Sequence, residues 1–405
     1  MAQDRRRFLR WSAAFGGALT GCTTGNRKDA ATVEDEGSGQ LGKPVSMYGE
    51  RSPHETVSRL TPDTKTPATA SSRTPLADLH GIITPNSLHF ERHHAGIPPL
   101  DPERHSLMIH GMVARPLMVS VGDMKRLPSV SRIHFVECAG NSGSEWGPKT
   151  APDVQRSHGL ASCAEWTGVP LRLLLGEAGL HPKASWIIAE GADACKMARS
   201  IPLRKALDDV LVAYAQNGEA IRPEQGYPLR LMVPGWEGNI NVKWLRRIQV
   251  TDDAAYTKDE TSKYTELLPD GKARIFTFEM DAKSVITRPS GGQRIGPGFV
   301  EITGLAWSGR GRITSAEVST DGGANWLQAQ LQEPVLPKAF TRFRLPWKWD
   351  GTETVLVSRC QDETGYLQPS REALVEVRGM NSNYHCNVLK PWRLLADGSV
   401  KNADV

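Results

Sequence analysis

Apolar and polar positions change rhythm twice along the chain. Residues 26–75 carry no apolar period. A run such as Thr61-Pro62-Asp63-Thr64-Lys65-Thr66-Pro67 can bury little and predicts an extended arm or linker. From 76 to 255 helix and strand signals mix. Val130 to Cys138 reads as a strand, as do the short apolar runs Trp186-Ile187-Ile188-Ala189 and Leu229-Arg230-Leu231-Met232-Val233. Val169 to Leu180 reads as a helix, with Pro170 suited to its first turn and Gly179 to its exit, and a second helix is predicted over Leu203 to Tyr214. Beyond a connector at 256–295, period-two alternation takes over. Phe299 to Trp307, Ser315 to Ser319, Thr354 to Cys360 and Ala373 to Val377 are predicted strands, and Asp321-Gly322-Gly323 is a turn signal. The pattern predicts an α+β domain followed by an immunoglobulin-like β-sandwich over 296–380, with a tail at 381–405. Trp307, Trp326 and Trp347 are its expected core anchors.

Composition narrows the class. Of 405 residues, 39% are hydrophobic and 23% charged, ordinary values for a globular protein. Lys plus Arg (49) nearly balances Asp plus Glu (45), so charge gives no argument for nucleic acid. No stretch approaches the ~20 apolar residues of a membrane-spanning helix. No Gly-x-Gly-x-x-Gly follows a strand, which argues against a dinucleotide fold.

The first residues resemble an address. Arg5-Arg6-Arg7-Phe8-Leu9-Arg10, followed by a small-residue run from Trp11 to Leu19, resembles a twin-arginine export signal over 1–25. That route carries folded cargo to the periplasm, so a cofactor inserted before export is expected. Leu19-Thr20-Gly21-Cys22 also resembles a lipoprotein cleavage box, and lipidation of Cys22 would anchor the protein to a membrane surface instead.

None of the 6 cysteines lies in a Cys-x-x-Cys pair, so zinc ribbons, thioredoxin chemistry and covalent haem are not encoded. Loss of Cys22 with the signal leaves an odd number, so at least one thiol is free or holds a ligand. Cys138 is the candidate. It follows a strand and opens the turn Cys138-Ala139-Gly140-Asn141, from which a sulfur can project into a cleft. A thiolate is a soft-metal ligand, and molybdenum suits it. The ordinary alternative for a lone cysteine is a buried structural thiol, the reading given to Cys163, Cys195, Cys360 and Cys386. A Cys360–Cys386 disulfide stays open.

Glu137-Cys138-Ala139-Gly140-Asn141 resembles the molybdenum-ligating loop of the sulfite oxidase family. Further motifs follow in that family's order: His89-Phe90-Glu91-Arg92-His93-His94, Glu190-Gly191-Ala192-Asp193, Gly226-Tyr227-Pro228-Leu229-Arg230, Val233-Pro234-Gly235-Trp236 and Asn241-Val242-Lys243-Trp244. The resemblance runs from about residue 80 to 380. Within the family it is to the molybdenum subunits of periplasmic sulfane dehydrogenases, the SoxC type. It implies a molybdopterin domain, a dimerisation domain, and molybdenum held by one pterin dithiolene, one cysteine thiolate and oxo ligands. Carried over by motif, Cys138 is the metal ligand and, with Arg92, catalytic. Phe90, Arg92, His94, Cys138, Asp193, Gln225, Arg230, Asn241, Val242 and Lys243 are the cofactor contacts. A pterin phosphate wants cations and backbone N–H donors, which fits those residue types.

Two departures bear on substrate. Many sulfite oxidases continue Cys-Ala-Gly-Asn with Arg-Arg, where this chain has Ser142-Gly143. Gln225 stands where the family usually has His. Both favour sulfane sulfur on a carrier protein over free sulfite, which is the alternative substrate. A non-catalytic scaffold and a nitrate reductase are weaker readings: the cysteine counts against the first, and the lack of a nicotinamide or flavin module against the second. The chain encodes no haem or iron–sulfur site, so a c-type cytochrome subunit is the expected electron acceptor. Adjacent strand residues face opposite ways, so a His93–His94 metal pair is not expected. Lys196 is either near the cofactor or a solvated charge. Tyr256 and Tyr264 are both candidates for a substrate-side tyrosine.

Overall fold

The computed structural model describes residues 41–147, 151–381 and 383–403; the predicted signal, with Arg5, Arg6 and Cys22, lies outside the described residues. The chain divides into two units, 1–55 and 56–405. The described part of the first, 41–55, is exposed and carries neither helix nor strand. The second unit holds every feature described below. Among the described residues no helix is long and apolar enough to cross a membrane.

Two sheets build the first half of this unit. In one, Val130–Glu137, Ala161–Pro170 and Leu211–Gln216 run antiparallel, and Glu219–Ala220 and Arg230–Met232 both pair with Leu211–Gln216. In the other, Ser106–Gly111 lies parallel to Leu245–Thr251. Leu117–Ser120, Trp186–Gly191 and Ala198–Pro202 extend it with antiparallel pairings. One apolar cluster, including Ile109, Leu175, Ile187, Val212, Leu231 and Ile248, joins the two sheets.

Helix Leu171–Ala178 buries Leu171, Leu174, Leu175 and Ala178, the i, i+3, i+4, i+7 stripe of an amphipathic helix. Val169 and Pro170, expected inside it, end the preceding strand. Gly179 closes it at φ +71°, where a side chain would be strained.

The helix expected over Leu203 to Tyr214 is corrected to Leu203–Asp208 followed by the strand Leu211–Gln216. Leu211, Val212 and Ala213 are buried and paired on both edges. A central strand reads as an unbroken apolar run, which periodicity cannot tell from a helix. The arm expected over 26–75 also ends early. Leu60 bridges Arg73, and Ser71–Ser72 pairs with Glu91–Arg92, so backbone hydrogen bonds without any apolar pattern dock this polar stretch.

The second half is a β-sandwich. Lys283–Arg288, Gly298–Trp307, Thr341–Trp349 and Gln330–Gln332 form one antiparallel sheet. Leu327–Gln328, Ile313–Ser319, Thr354–Asp362, Trp392–Leu394 and Val400–Asn402 form the other. Val285, Ile302, Leu305 and Phe343 from the first sheet share a core with Ala316, Val318, Leu356 and Trp392 from the second. The sandwich is therefore larger than the predicted 296–380: it takes a strand from the expected connector and two from the expected tail.

Ala373 to Val377 is not a strand but lies in helix Arg371–Arg378, capped by the Ser370 hydroxyl accepting from the Ala373 N–H. Its buried positions are Leu374 and Arg378, one turn apart, and Arg378 is held by Glu266 and Asp281. Of the three expected anchors, only Trp307 is fully buried. Trp347 sits partly buried against the core, and Trp326, also partly buried, has Arg359 4.1 Å above its ring. Trp349 and Trp392 are the other buried tryptophans of the sandwich.

The halves are not separable bodies. Phe135, Ala161 and Cys163 from the first half belong to the same apolar cluster as the sandwich core, and Leu76 and Leu79 join them. Buried ion pairs Lys283–Glu137 and Lys390–Glu145 also cross between them.

Candidate active site

Strand Val130–Glu137 delivers Cys138 to a turn. The Cys138 N–H donates to Leu160 O (2.9 Å), and the Asn141 N–H donates back to Cys138 O (2.8 Å). Asn141 Oδ1 accepts from the Leu160 N–H at 3.0 Å, so the turn is stitched to the start of the neighbouring strand. Gly238 packs against it. A Cβ there would come within 2.8 Å of Glu137 O, so only glycine lets the 238–241 segment approach.

A cleft opens beside Cys138. Phe90, Arg92, His94, Asp193, Gln225, Arg230, Asn241, Val242 and Lys243 all line it with Cys138, so the residues singled out from the sequence come together in one place. They arrive from separate parts of the chain. Ser71–Ser72 holds the Arg92 segment by strand pairing, and Arg92 Nη1 donates to Thr69 O at 2.5 Å. Gln225 Nε2 donates to Phe90 O at 2.8 Å, and Arg230 Nη1 donates to Gln225 O at 3.0 Å, joining two walls. The Asn241 side chain is used within the protein: Oδ1 accepts from the Val233 N–H (2.7 Å) and Nδ2 donates to Trp236 O and Glu237 O. It shapes the loop, and its carbonyl accepts from Arg230 Nη2.

The electrostatics describe an anion seat. Arg230 is buried over the Trp166 ring, its donors turned to backbone carbonyls and Gln225, and burial pushes its pKa down to about 9. The Lys243 ammonium contacts Arg92 O (3.1 Å), Glu224 O (3.0 Å) and His93 Nδ1 (2.9 Å). Burial, and then Arg230, push it down to about 7. Arg230 Nε and His89 Nε2 are buried polar atoms with no hydrogen-bond partner. Two desolvated cations and unsatisfied nitrogen atoms in a cleft wall fit a phosphate-bearing group. Burial raises the Cys138 pKa, while the Gly140 backbone and Arg92 pull it back toward thiolate. Among the described residues no group of three or more His, Cys, Asp and Glu side chains could hold a bare metal ion. A soft thiolate beside an anion seat fits a metal that a phosphorylated organic cofactor brings with it.

The structure also places what sequence reasoning left open or missed. Tyr264 lines the cleft, its hydroxyl 3.4 Å from His94 Nε2, with Arg199 4.8 Å from its ring; Tyr256 is exposed. His94 is pushed down to about 4 by burial and by Arg92. The strand ends at Arg92, so strand alternation does not govern His93 and His94: both residues line the cleft, His93 bonded to Glu91 and Lys243 and His94 near Tyr264. His89 and Trp244 line it too. They stood inside quoted motifs, whereas Tyr264 had no local pattern to mark it. Lys196 is exposed and outside the cleft. Cys163, Cys195, Cys360 and Cys386 are free thiols, so the Cys360–Cys386 disulfide is not formed.

Comparison with known proteins agrees with this geometry. Residues 94–258 match the family described as the oxidoreductase molybdopterin binding domain, and 274–390 match the Mo-co oxidoreductase dimerisation domain. Mitochondrial sulfite oxidase of Mus musculus is 32% identical over 330 residues, covering 75% of this chain and 60% of that protein. Sulfite oxidase of Gallus gallus is 30% identical over 332 residues, covering 74% and 71%. The chain thus spans about three fifths of the length of the mammalian relatives. A chain of the crystal structure of the sulfane dehydrogenase SoxCD from Paracoccus pantotrophus is 46% identical, with a TM-score of 0.91, covering 94% of this chain and 100% of that one. The chain belongs to the sulfite oxidase family of molybdenum oxidoreductases, whose cofactor is molybdenum bound to molybdopterin.

Proposed function

We propose that this chain is the molybdenum subunit of a periplasmic sulfane dehydrogenase. It oxidises sulfane sulfur carried on a protein thiol and passes the electrons to a c-type cytochrome subunit. The observation that carries this reading is the likeness to the SoxCD chain, which extends over all of that chain at 46% identity. The surroundings of Cys138 support it. Ser142 and Gly143 add no cation beside the thiol, and the Ser142 hydroxyl is committed to Lys283 and Cys386 O. That leaves a site less suited to gripping a small free oxyanion than one flanked by two arginines.

When bound, the cofactor supplies two-electron oxidation with oxygen taken from water. The protein groups do the holding: Cys138 ligates the metal, and Arg230 and Lys243 seat the phosphate. Arg92 places positive charge where it favours the Cys138 thiolate and an anionic sulfur substrate. The sandwich is read as an immunoglobulin-like dimerisation domain, giving a homodimer. The arginine-rich start of the chain is read as a twin-arginine signal to the periplasm, the alternative being an anchor through Cys22. A second reading, dehydrogenation of free sulfite, is favoured by Arg92 and by the identity to sulfite oxidases.

The test is kcat/KM for a thiosulfate-loaded carrier protein against kcat/KM for sulfite, with a cytochrome acceptor. The proposal expects the carrier to win by about a hundredfold, roughly 2.7 kcal/mol of transition-state discrimination. Faster turnover of sulfite would select the second reading.

A further inference from the structure

Glu137 directly precedes Cys138, and its carboxylate is wholly buried. Oε1 accepts from Lys283 Nζ at 2.5 Å and from Asn141 Nδ2 at 2.9 Å; Oε2 accepts from Trp307 Nε1 at 2.7 Å. Lys283 is buried too, and it also donates to Ser142 Oγ at 2.9 Å. Ser142 Oγ in turn donates to Cys386 O at 2.8 Å. Ser142 has φ +57°, a left-handed conformation that a residue other than glycine keeps only where its surroundings hold it. The polar side chains bracketing the Cys138 turn, Glu137, Asn141 and Ser142, thus form one network centred on Lys283. Lys283 and Trp307 are cross-strand partners on the sandwich sheet, so two adjacent strands present the lysine and the indole together.

A buried ion pair is a poor source of stability, because apolar residues of similar volume can do as well. What this one provides is fixed geometry, since each carboxylate oxygen has a directed donor. We infer that Glu137, Lys283 and Trp307 are positioning residues through which the β-sandwich fixes the turn that presents Cys138, and so sets the direction of its sulfur. The departure at Ser142 acquires a structural meaning: its hydroxyl links Lys283, already paired with Glu137, to the Cys386 carbonyl. The inference builds on the reading of Cys138 as the metal ligand.

The test uses the full-length chain in four variants: Glu137→Gln with Lys283→Met, which removes both charges together; Trp307→Phe, which keeps the ion pair and an aromatic ring; Lys338→Met; and Cys138→Ser, read by its spectrum alone. Lys338 forms another ion pair between the halves, to Asp209 at 2.6 Å, and touches none of the turn residues with its side chain. Two readouts are taken. One is the rate of iodoacetamide labelling at Cys138 in cofactor-free protein, resolved by peptide mass spectrometry. The other is the electron paramagnetic resonance spectrum of the part-reduced, cofactor-loaded protein, which reports how the sulfur meets the metal.

Loss of the network should change the labelling rate about tenfold in the double variant, in line with the effect of groups that orient metal ligands. A smaller change in the same direction is expected in Trp307→Phe, with shifted g-values in both. Lys338→Met should match wild type in both readouts. If the double variant does not fold, Trp307→Phe decides. Wild-type labelling and spectra in the folded network variants, or equal changes in Lys338→Met, would overturn the inference. Labelling needs no metal. A shifted rate alongside a spectrum unaltered by Cys138→Ser would therefore fault the ligand assignment and leave the positioning network standing.

Discussion

Lys243→Met should make the cofactor-free protein relatively more stable near neutral pH while impairing its ability to keep the cofactor. The Lys243 ammonium has two carbonyls and an imidazole nitrogen for partners but lies beside the buried Arg230, and burial is the larger cause of its fall from 10.5 to about 7. The unfolded chain keeps its proton up to the ordinary lysine value, whereas the folded cleft gives it up near 7. Between those values the unfolded state binds more protons, so wild-type stability rises with pH through that window and is lost as pH falls toward 7. One proton's difference gives at most about 1.4 kcal/mol per pH unit. From pH 7 to 9 the wild type should therefore gain about 2 kcal/mol that the methionine variant does not. Urea denaturation of both cofactor-free proteins at pH 7, 8 and 9 measures this. The difference between them cancels groups that titrate alike in both, including the cysteine thiols. The variant should be favoured most at pH 7, with the gap narrowing as pH rises, and it should retain less molybdopterin after purification. Parallel stability curves would refute the claim that burial makes this lysine's charge costly until an anion arrives.

Deleting residues 296–405 should give insoluble protein rather than a folded monomer, because the deletion strips Trp307 from Glu137 and opens the shared core; a soluble, cofactor-loaded fragment on size-exclusion chromatography would contradict this. Replacing Arg5 and Arg6 by Lys should leave unprocessed protein in the cytoplasm, and normal periplasmic accumulation on cell fractionation would remove the export reading. The purified chain should be reduced by substrate yet turn over slowly with a monohaem cytochrome c, and a dihaem partner subunit should restore the rate. Full steady-state activity with the monohaem acceptor alone would make that partner dispensable.

The cleft was legible in the sequence to the extent that its chemistry is local. Cys138, Arg92 and Lys243 each stand in a short motif whose neighbours turn the backbone for them, so the motif carries the residue with it. Tyr264 reaches His94 across 170 positions, and nothing around it in the chain records that meeting. The same holds for Glu137, whose ties to Lys283 and Trp307 span 146 and 170 positions and cross between the two halves. The alternation of the sandwich was readable where one strand face meets water. Periodicity misled at Leu211–Gln216, whose buried run Leu211 to Ala213 reads as well as helix, and at Ala373 to Val377, where a capping serine and an ion-paired arginine outweigh strand propensity. The polar stretch at 69–72 looked like linker because backbone pairing, not apolar burial, docks it against Arg92.

Molybdenum K-edge X-ray absorption on purified wild type and Cys138→Ser tests the central claim most directly. If Cys138 holds the metal beside a pterin dithiolene, the wild-type spectrum should fit three sulfur neighbours. The serine variant should lose one of them and gain an oxygen or nitrogen scatterer, with most of the turnover gone. An unchanged sulfur count in the folded, molybdenum-loaded variant would show that Cys138 does not hold the metal.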